Sequence, residues 1–181
     1  MKKITLIPLV LLAFFFVFST QTQAQNFSKL DVSPLDIASY PTSHRDSNKL
    51  IKITYSRPQL KGRKLSKLAP AGKVWRTGAN EASELTLYTD MKLGDKKIKA
   101  GTYTFYTIPG ETTWTAIINS DTNVWGSYYY NESKDVARIS VPATTSEESL
   151  EAFSIVFEES DAGVAMHLGW GNVRLAVPFS K

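Results

Sequence analysis

From Leu50 to the C-terminus, apolar side chains recur at every second position in short runs, and each run closes on a turn signal. Ile51, Ile53 and Tyr55 alternate with Lys52, Thr54 and Ser56. The pattern returns at Leu85 and Leu87, at Trp114, Ala116 and Ile118, at Ala137, Ile139 and Val141, and at Phe153, Ile155 and Phe157. It ends with Val164, Met166, Leu168 and Trp170, followed by Val173, Leu175 and Val177. A period of two puts one face of a strand on a core and the other toward solvent. Pro58, Gly94-Asp95, Pro109-Gly110 and Asp161-Ala162-Gly163 punctuate the runs. Only Glu147–Ala152 is expected to hold a turn of helix, and no strand–helix–strand alternation or internal repeat occurs. The pattern predicts an all-β fold: a single-domain antiparallel β-sandwich, jelly-roll-like, of about eight or nine strands.

The first residues differ in kind. Lys2 and Lys3 open the chain, Ile4–Phe18 is almost wholly apolar, and Ser19–Ala24 is small and polar. This is the order of a secretory signal peptide, with Thr22-Gln23-Ala24 as the cleavage site. The apolar run of 15 residues is shorter than the ~20 that a spanning helix needs. The expected organisation is therefore a signal peptide over 1–24, a polar lead-in over 25–48 with a short strand near Phe27–Val32, and the sandwich over 49–181. Such a protein is exported, to the periplasm or the medium, without stable membrane insertion after cleavage. The chain has no Cys, which excludes disulfides, thiol catalysis and thiolate metal sites. His44 and His167 lack ligand spacing, so neither metal nor cofactor is expected.

Charge is unevenly spread. Between Arg45 and Arg76 ten basic residues stand against Asp46 alone, and between Glu111 and Asp161 ten acids stand against Lys134 and Arg138. The asymmetry either recruits an anionic partner or offsets itself across the folded surface. Nucleic acid is not expected as a partner of an exported protein.

Three places carry candidate chemistry. Lys73–Ala82, reading K-V-W-R-T-G-A-N-E-A, breaks the alternation. In a binding role Arg76 clamps an anion, Asn80 and Glu81 fix a polar ligand and Trp75 offers a stacking face. In a structural role Trp75 plugs the core and Arg76 pairs with Glu81. The loop Trp125–Tyr130 presents Trp125 and Tyr128, either to stack on sugar faces or to cap the end of the sandwich. In the last hairpin, a turn at Gly171-Asn172 sets His167 and Arg174 on one face, as a basic notch or as two solvated side chains. A carboxylate pair for hydrolysis would come from Glu81 with Glu84 or Asp135. A serine hydrolase built on His167 would lack a Gly-x-Ser-x-Gly elbow.

Several of these segments also agree with a known family. Tyr55-Ser56-Arg57-Pro58, Lys61-Gly62-Arg63, Val74–Ala82, Ala100-Gly101-Thr102-Tyr103, Ile108-Pro109-Gly110, Trp125-Gly126 and Trp170 ahead of Val173–Pro178 occur in this order. Together they resemble the domain-of-unknown-function 2911 family over about Leu50 to Phe179. The resemblance implies an exported bacterial protein and brings no activity or site residue with it.

The function expected is a non-catalytic module for a small polar or anionic ligand or an envelope glycan. This reading requires Trp75–Glu81 and Trp125–Tyr130 to converge at one end of the sandwich. A hydrolase using Glu81 with Arg76 requires Glu81 partly buried beside a second acid or base. A purely structural envelope protein requires a large apolar patch for its partner.

Overall fold

Ile51, Ile53 and Tyr55 are buried, as their spacing predicts, and the strand that carries them is the second of nine. The computed structural model describes residues 25–181, so the signal peptide expected over 1–24 lies outside the described residues. Residues 25–30 carry no regular secondary structure.

The strands are β1 (Leu35–Tyr40), β2 (Ile51–Ser56), β3 (Ser83–Leu87), β4 (Met91–Leu93), β5 (Lys96–Ile98), β6 (Gly101–Ile108), β7 (Thr113–Asn119), β8 (Asp135–Ser160) and β9 (Gly163–Ser180). Every pairing between them is antiparallel, and the order is β1-β2-β3-β6-β7-β8-β9-β4-β5. The all-β antiparallel expectation holds. Two ladders are joined through β8, which belongs to both. Its first residues pair with β7 up to Pro142, and from Ala143 onward it pairs with β9.

A strand of 26 residues cannot run straight through a domain of this size, and β8 bends at two register shifts, between Thr145 and Leu150 and between Leu150 and Ser154. The reason lies in β9, which doubles back on itself. A methyl group added at Gly163 would lie 2.7 Å from the Phe179 carbonyl oxygen, and one at Gly169 would lie 3.3 Å from Arg174 Cδ. These neighbours fit a tight turn at Gly171-Asn172, and Gly171 takes the left-handed φ of 54° that such a turn uses. Thr145 then faces Val173 on one arm and Ser154 faces Gly169 on the other. Ser146–Glu151 passes around the tip. There its carbonyls accept from Asn172 Nδ2 at 2.7 Å (Ser146), Arg174 Nη2 at 2.6 Å (Glu148) and Trp170 Nε1 at 3.2 Å (Glu151). The helical turn expected at Glu147–Ala152 is thus replaced by strand, with its carbonyls already engaged. The described α-helical turn is Leu65–Leu68, within the basic stretch between Arg45 and Arg76.

The other correction lies before Leu50. No strand forms near Phe27–Val32; β1 begins at Leu35, opposite Ser56 at the end of β2.

The core gathers Ile53, Leu85, Phe105 and Ile118 from the first ladder with Phe153, Met166, Leu168 and Phe179 from the second. Arg57 ties the ladders together where β2 ends. Its Nε donates to the Phe153 carbonyl at 3.1 Å, Nη1 to Asp36 at 3.1 Å and Nη2 to Ser154 Oγ at 2.6 Å. The Phe153 amide donates in turn to the Pro58 carbonyl at 2.9 Å. The Tyr-Ser-Arg-Pro segment is therefore a clasp between ladders.

Candidate functional site

Strands β6 and β7 are buried on both faces. Their inner face belongs to the main core, while Tyr106 and Ile117 of the outer face form a second small core with Ala82. Val74, Val124 and Tyr130 pack against it. Two loops are thus laid over the outside of the sheet by the apolar residues each contributes. The first is anchored by reciprocal hydrogen bonds between Trp75 and Thr107, at 2.7 and 3.0 Å. The second is held where Ser127 Oγ donates to the Val74 carbonyl at 3.0 Å.

The free margins of these loops then pair. Glu81 and Trp125 form an antiparallel bridge, the Ala82 amide donates to the Val124 carbonyl at 2.9 Å, and the Gly126 amide donates to the Asn80 carbonyl at 3.0 Å. The two segments singled out in the sequence converge, but over the outer face of β6 and β7 rather than at one end of a sandwich. The seam borders a groove of about 570 Å³, a size typical of small-ligand sites. Its wall is Asn80, Glu81, Asn123 and Trp125, and its floor is the ladder end carrying Leu35, Thr54, Ser56 and Glu84. The Trp125 side is open, the residue being 57% exposed.

Backbone geometry marks the same wall. Asn80 has φ 60° and Asn123 φ 56°, and Thr77 just upstream has φ 54° although it is β-branched. Thr77 is wholly buried. Its Oγ1 meets Thr107 Oγ1 at 3.1 Å, and its carbonyl accepts from Ser83 Oγ at 2.7 Å. Gly78 passes so close to Ser56 that a methyl group would come within 3.2 Å of the Ser56 carbonyl oxygen. The local strain is held by this packing, and its effect is to turn Asn80 and Glu81 toward the groove.

The groove takes three of the eight residues expected at a site: Asn80, Glu81 and Trp125. Trp75 is buried, stacked on Trp170 at 5.4 Å and edge-on to Phe153 and Trp114, so it has no face for a ligand. Arg76 does not line the groove and makes no ion pair with Glu81 among the described residues; its Nε is buried without a partner. The pairing expected between Arg76 and Glu81 is therefore absent. Tyr128 is exposed on the loop surface, over Gly126, and outside the groove. His167 lies 3.4 Å from Glu158, and Arg174 donates to the carbonyls of Gly171, Val173 and Glu148. The basic notch expected there is occupied by the arms of β9 and the strand wrapped around them.

Groove residues that are not among the candidates of the sequence include Asp31, Ser33, Leu35 and Asn123. Only Asn123 carried a local signal, a small polar D-T-N stretch ahead of Trp125. Glu84, weighed above as a partner for Glu81, does line the groove, and its Oε1 accepts from the Asn123 amide at 3.1 Å. Asp135 is elsewhere, accepting from Tyr130 at 2.6 Å and Asn119 at 2.8 Å.

Charge decides what such a groove can hold. Asp31, Glu81 and Glu84 line it, and among the described residues no Lys, Arg or His does. A ring, two amides and carboxylates offer stacking and acceptors for hydroxyl donors, and they repel anions. Among the described residues no group of acids and histidines is placed to hold a metal ion, and no helix is long and apolar enough to cross a membrane.

Neither a curated protein nor a solved structure matches the chain. A family model described as protein of unknown function (DUF2911) does, over residues 34–179, which runs from the residue before β1 almost to the end of β9, and the chain belongs to that family.

Proposed function

We propose that the protein is an exported, non-catalytic module that binds a neutral polyhydroxyl ligand, such as an envelope glycan, in the groove between Asn80–Glu81 and Asn123–Trp125. The observation that carries this reading is the Glu81–Trp125 bridge, which sets an exposed indole beside carboxylate and amide acceptors. An aromatic face packs on the apolar C–H face of a sugar, while carboxylate and amide oxygens accept from its hydroxyls. An anionic ligand is disfavoured by the three carboxylates. The hydrolase alternative is less well supported, because Glu81 is exposed rather than partly buried and Arg76 stands outside the groove. Export rests on the order of charge, apolar run and small residues over Met1–Ala24.

The test is calorimetric titration of a panel of neutral soluble oligosaccharides into the wild type, Trp125→Ala and Glu81→Gln. At least one oligosaccharide should bind, and each variant should weaken it by about tenfold or more, roughly 1.4 kcal/mol. Melting temperatures should stay close to that of the wild type. A panel with no binder, or binding indifferent to both substitutions, would remove the groove as the site.

A further inference from the structure

The β4–β5 hairpin closes one end of the strand order, and its register puts like charges side by side. Lys92 of β4 is the cross-strand partner of Lys97 on β5 and, on its other side, of Ser180 on β9. Side chains alternate along a strand, so Asp90, Lys92, Lys97, Lys99 and Ser180 share one face. Met91, Leu93, Ile98 and Phe179 occupy the other and are buried. Like charges directly opposite each other destabilise a sheet. Asp90 does not relieve them, since its Oδ2 accepts from Lys99 at 2.8 Å and its Oδ1 from the Ala100 amide at 2.9 Å. Among the described residues neither Lys92, Lys97 nor Lys181 has an ion-pair partner.

These side chains surround a cavity of about 330 Å³ lined by Lys92, Lys97, Lys99 and Lys181, with Asp90 as the one acidic side chain among the described residues. Glu159 and Asp161 line the neighbouring cavity, beyond Met91 and Lys181. Lysines on an edge strand often serve to prevent edge-to-edge pairing. That accounts for Lys96 and Lys97 on β5. It does not account for Lys92, which is flanked by strands on both sides.

We propose that this cavity is a second binding site, for a small oxyanion such as a phosphate ester, held between Lys92 and Lys97 with Lys181 alongside. A bound oxyanion turns the repulsive pair into two attractive contacts, and ammonium groups supply both charge and donors to it. The site is separate from the Trp125 groove, whose carboxylates exclude the same ligand, and it stands whether or not that groove binds a glycan.

The experiment is titration of inorganic pyrophosphate into the full chain at low ionic strength, with thermal unfolding measured in parallel. The wild type should bind, and Lys92→Ala and Lys97→Ala should each weaken binding by about tenfold or more. In anion-free buffer the same two variants should melt above the wild type, because each removes the repulsion. Lys134→Ala, on the turn ahead of β8, should change neither quantity. Absence of pyrophosphate binding by the wild type overturns the proposal. So does binding unchanged in both variants, or a melting temperature that neither raises without anion. Binding to anionic phospholipid vesicles in the absence of pyrophosphate binding would also overturn it, pointing to a membrane surface as the ligand.

Discussion

Glu81 and Trp125 are bridge partners although 44 positions separate them, and Arg76, five positions from Glu81, is not in contact with it through any ion pair. The left-handed residues between them, Thr77 and Asn80, account for the inversion, because each turns the chain where a strand would have continued. Glu81 is thereby carried to the groove and Arg76 is left behind.

Arg76 and Glu81 should consequently behave as independent sites. Glu81→Ala is expected to change stability by no more than about 0.5 kcal/mol, as for other exposed positions. The double variant with Arg76→Met should equal the sum of the singles within about 0.5 kcal/mol. Chemical denaturation of the four proteins measures this, and a coupling well above that value would restore the ion pair.

Trp75 belongs to the core. Its ring is packed among Trp114, Phe153 and Trp170, so Trp75→Ala should cost about 3–5 kcal/mol. Trp125→Ala should cost little. The two tryptophans thus separate by function: equal melting temperatures for the two variants would contradict the burial of Trp75 and the exposure of Trp125.

Asn80 allows strain and binding to be told apart. Its φ of 60° is tolerated by Asn and Gly but costs other residues about 1–2 kcal/mol. Asn80→Gly should keep stability near wild type and weaken glycan binding, whereas Asn80→Ala should lower both. If Asn80→Gly binds as tightly as the wild type, the Asn80 amide takes no part in the site.

The second core beneath the loops predicts an alkaline signature. Burial pushes the Tyr106 hydroxyl up to about 12, with Asp121 and Asp135 adding to the effect. Burial also pushes Tyr130 up to about 12, reinforced by its hydrogen bond to Asp135 and opposed by Arg138. Both shifts favour the neutral hydroxyl in the folded protein. Their contribution to stability is therefore complete below the ordinary tyrosine value of ~10 and is lost as pH rises from there toward 12. Ultraviolet titration of tyrosinate should show these two ionising last among the eight tyrosines, together with Tyr55, which burial also raises. Tyr130→Phe should remove one of the late steps, and a titration in which all tyrosines ionise near 10 would refute the arrangement.

Alternation alone determined which residues face the core. Ile51, Leu85, Trp114, Phe153 and Leu168 are buried where the period of two places them, because that period is a property of the extended backbone and needs no knowledge of neighbours. The turn at Gly171-Asn172 and the hairpin at Gly94-Asp95 were legible for the same local reason. What surrounds the strands was decided by tertiary contact. β8 serves both ladders because it wraps the tip of β9, and nothing in Pro142–Glu151 announces that its carbonyls will be claimed by Trp170, Asn172 and Arg174. The groove exists because Val74, Ala82, Val124 and Tyr130 seal the outer face of Tyr106 and Ile117, bringing two distant loops to one seam. Neither segment contains the other's address. Their meeting is set by the burial of a second apolar face that alternating strands would have left to water.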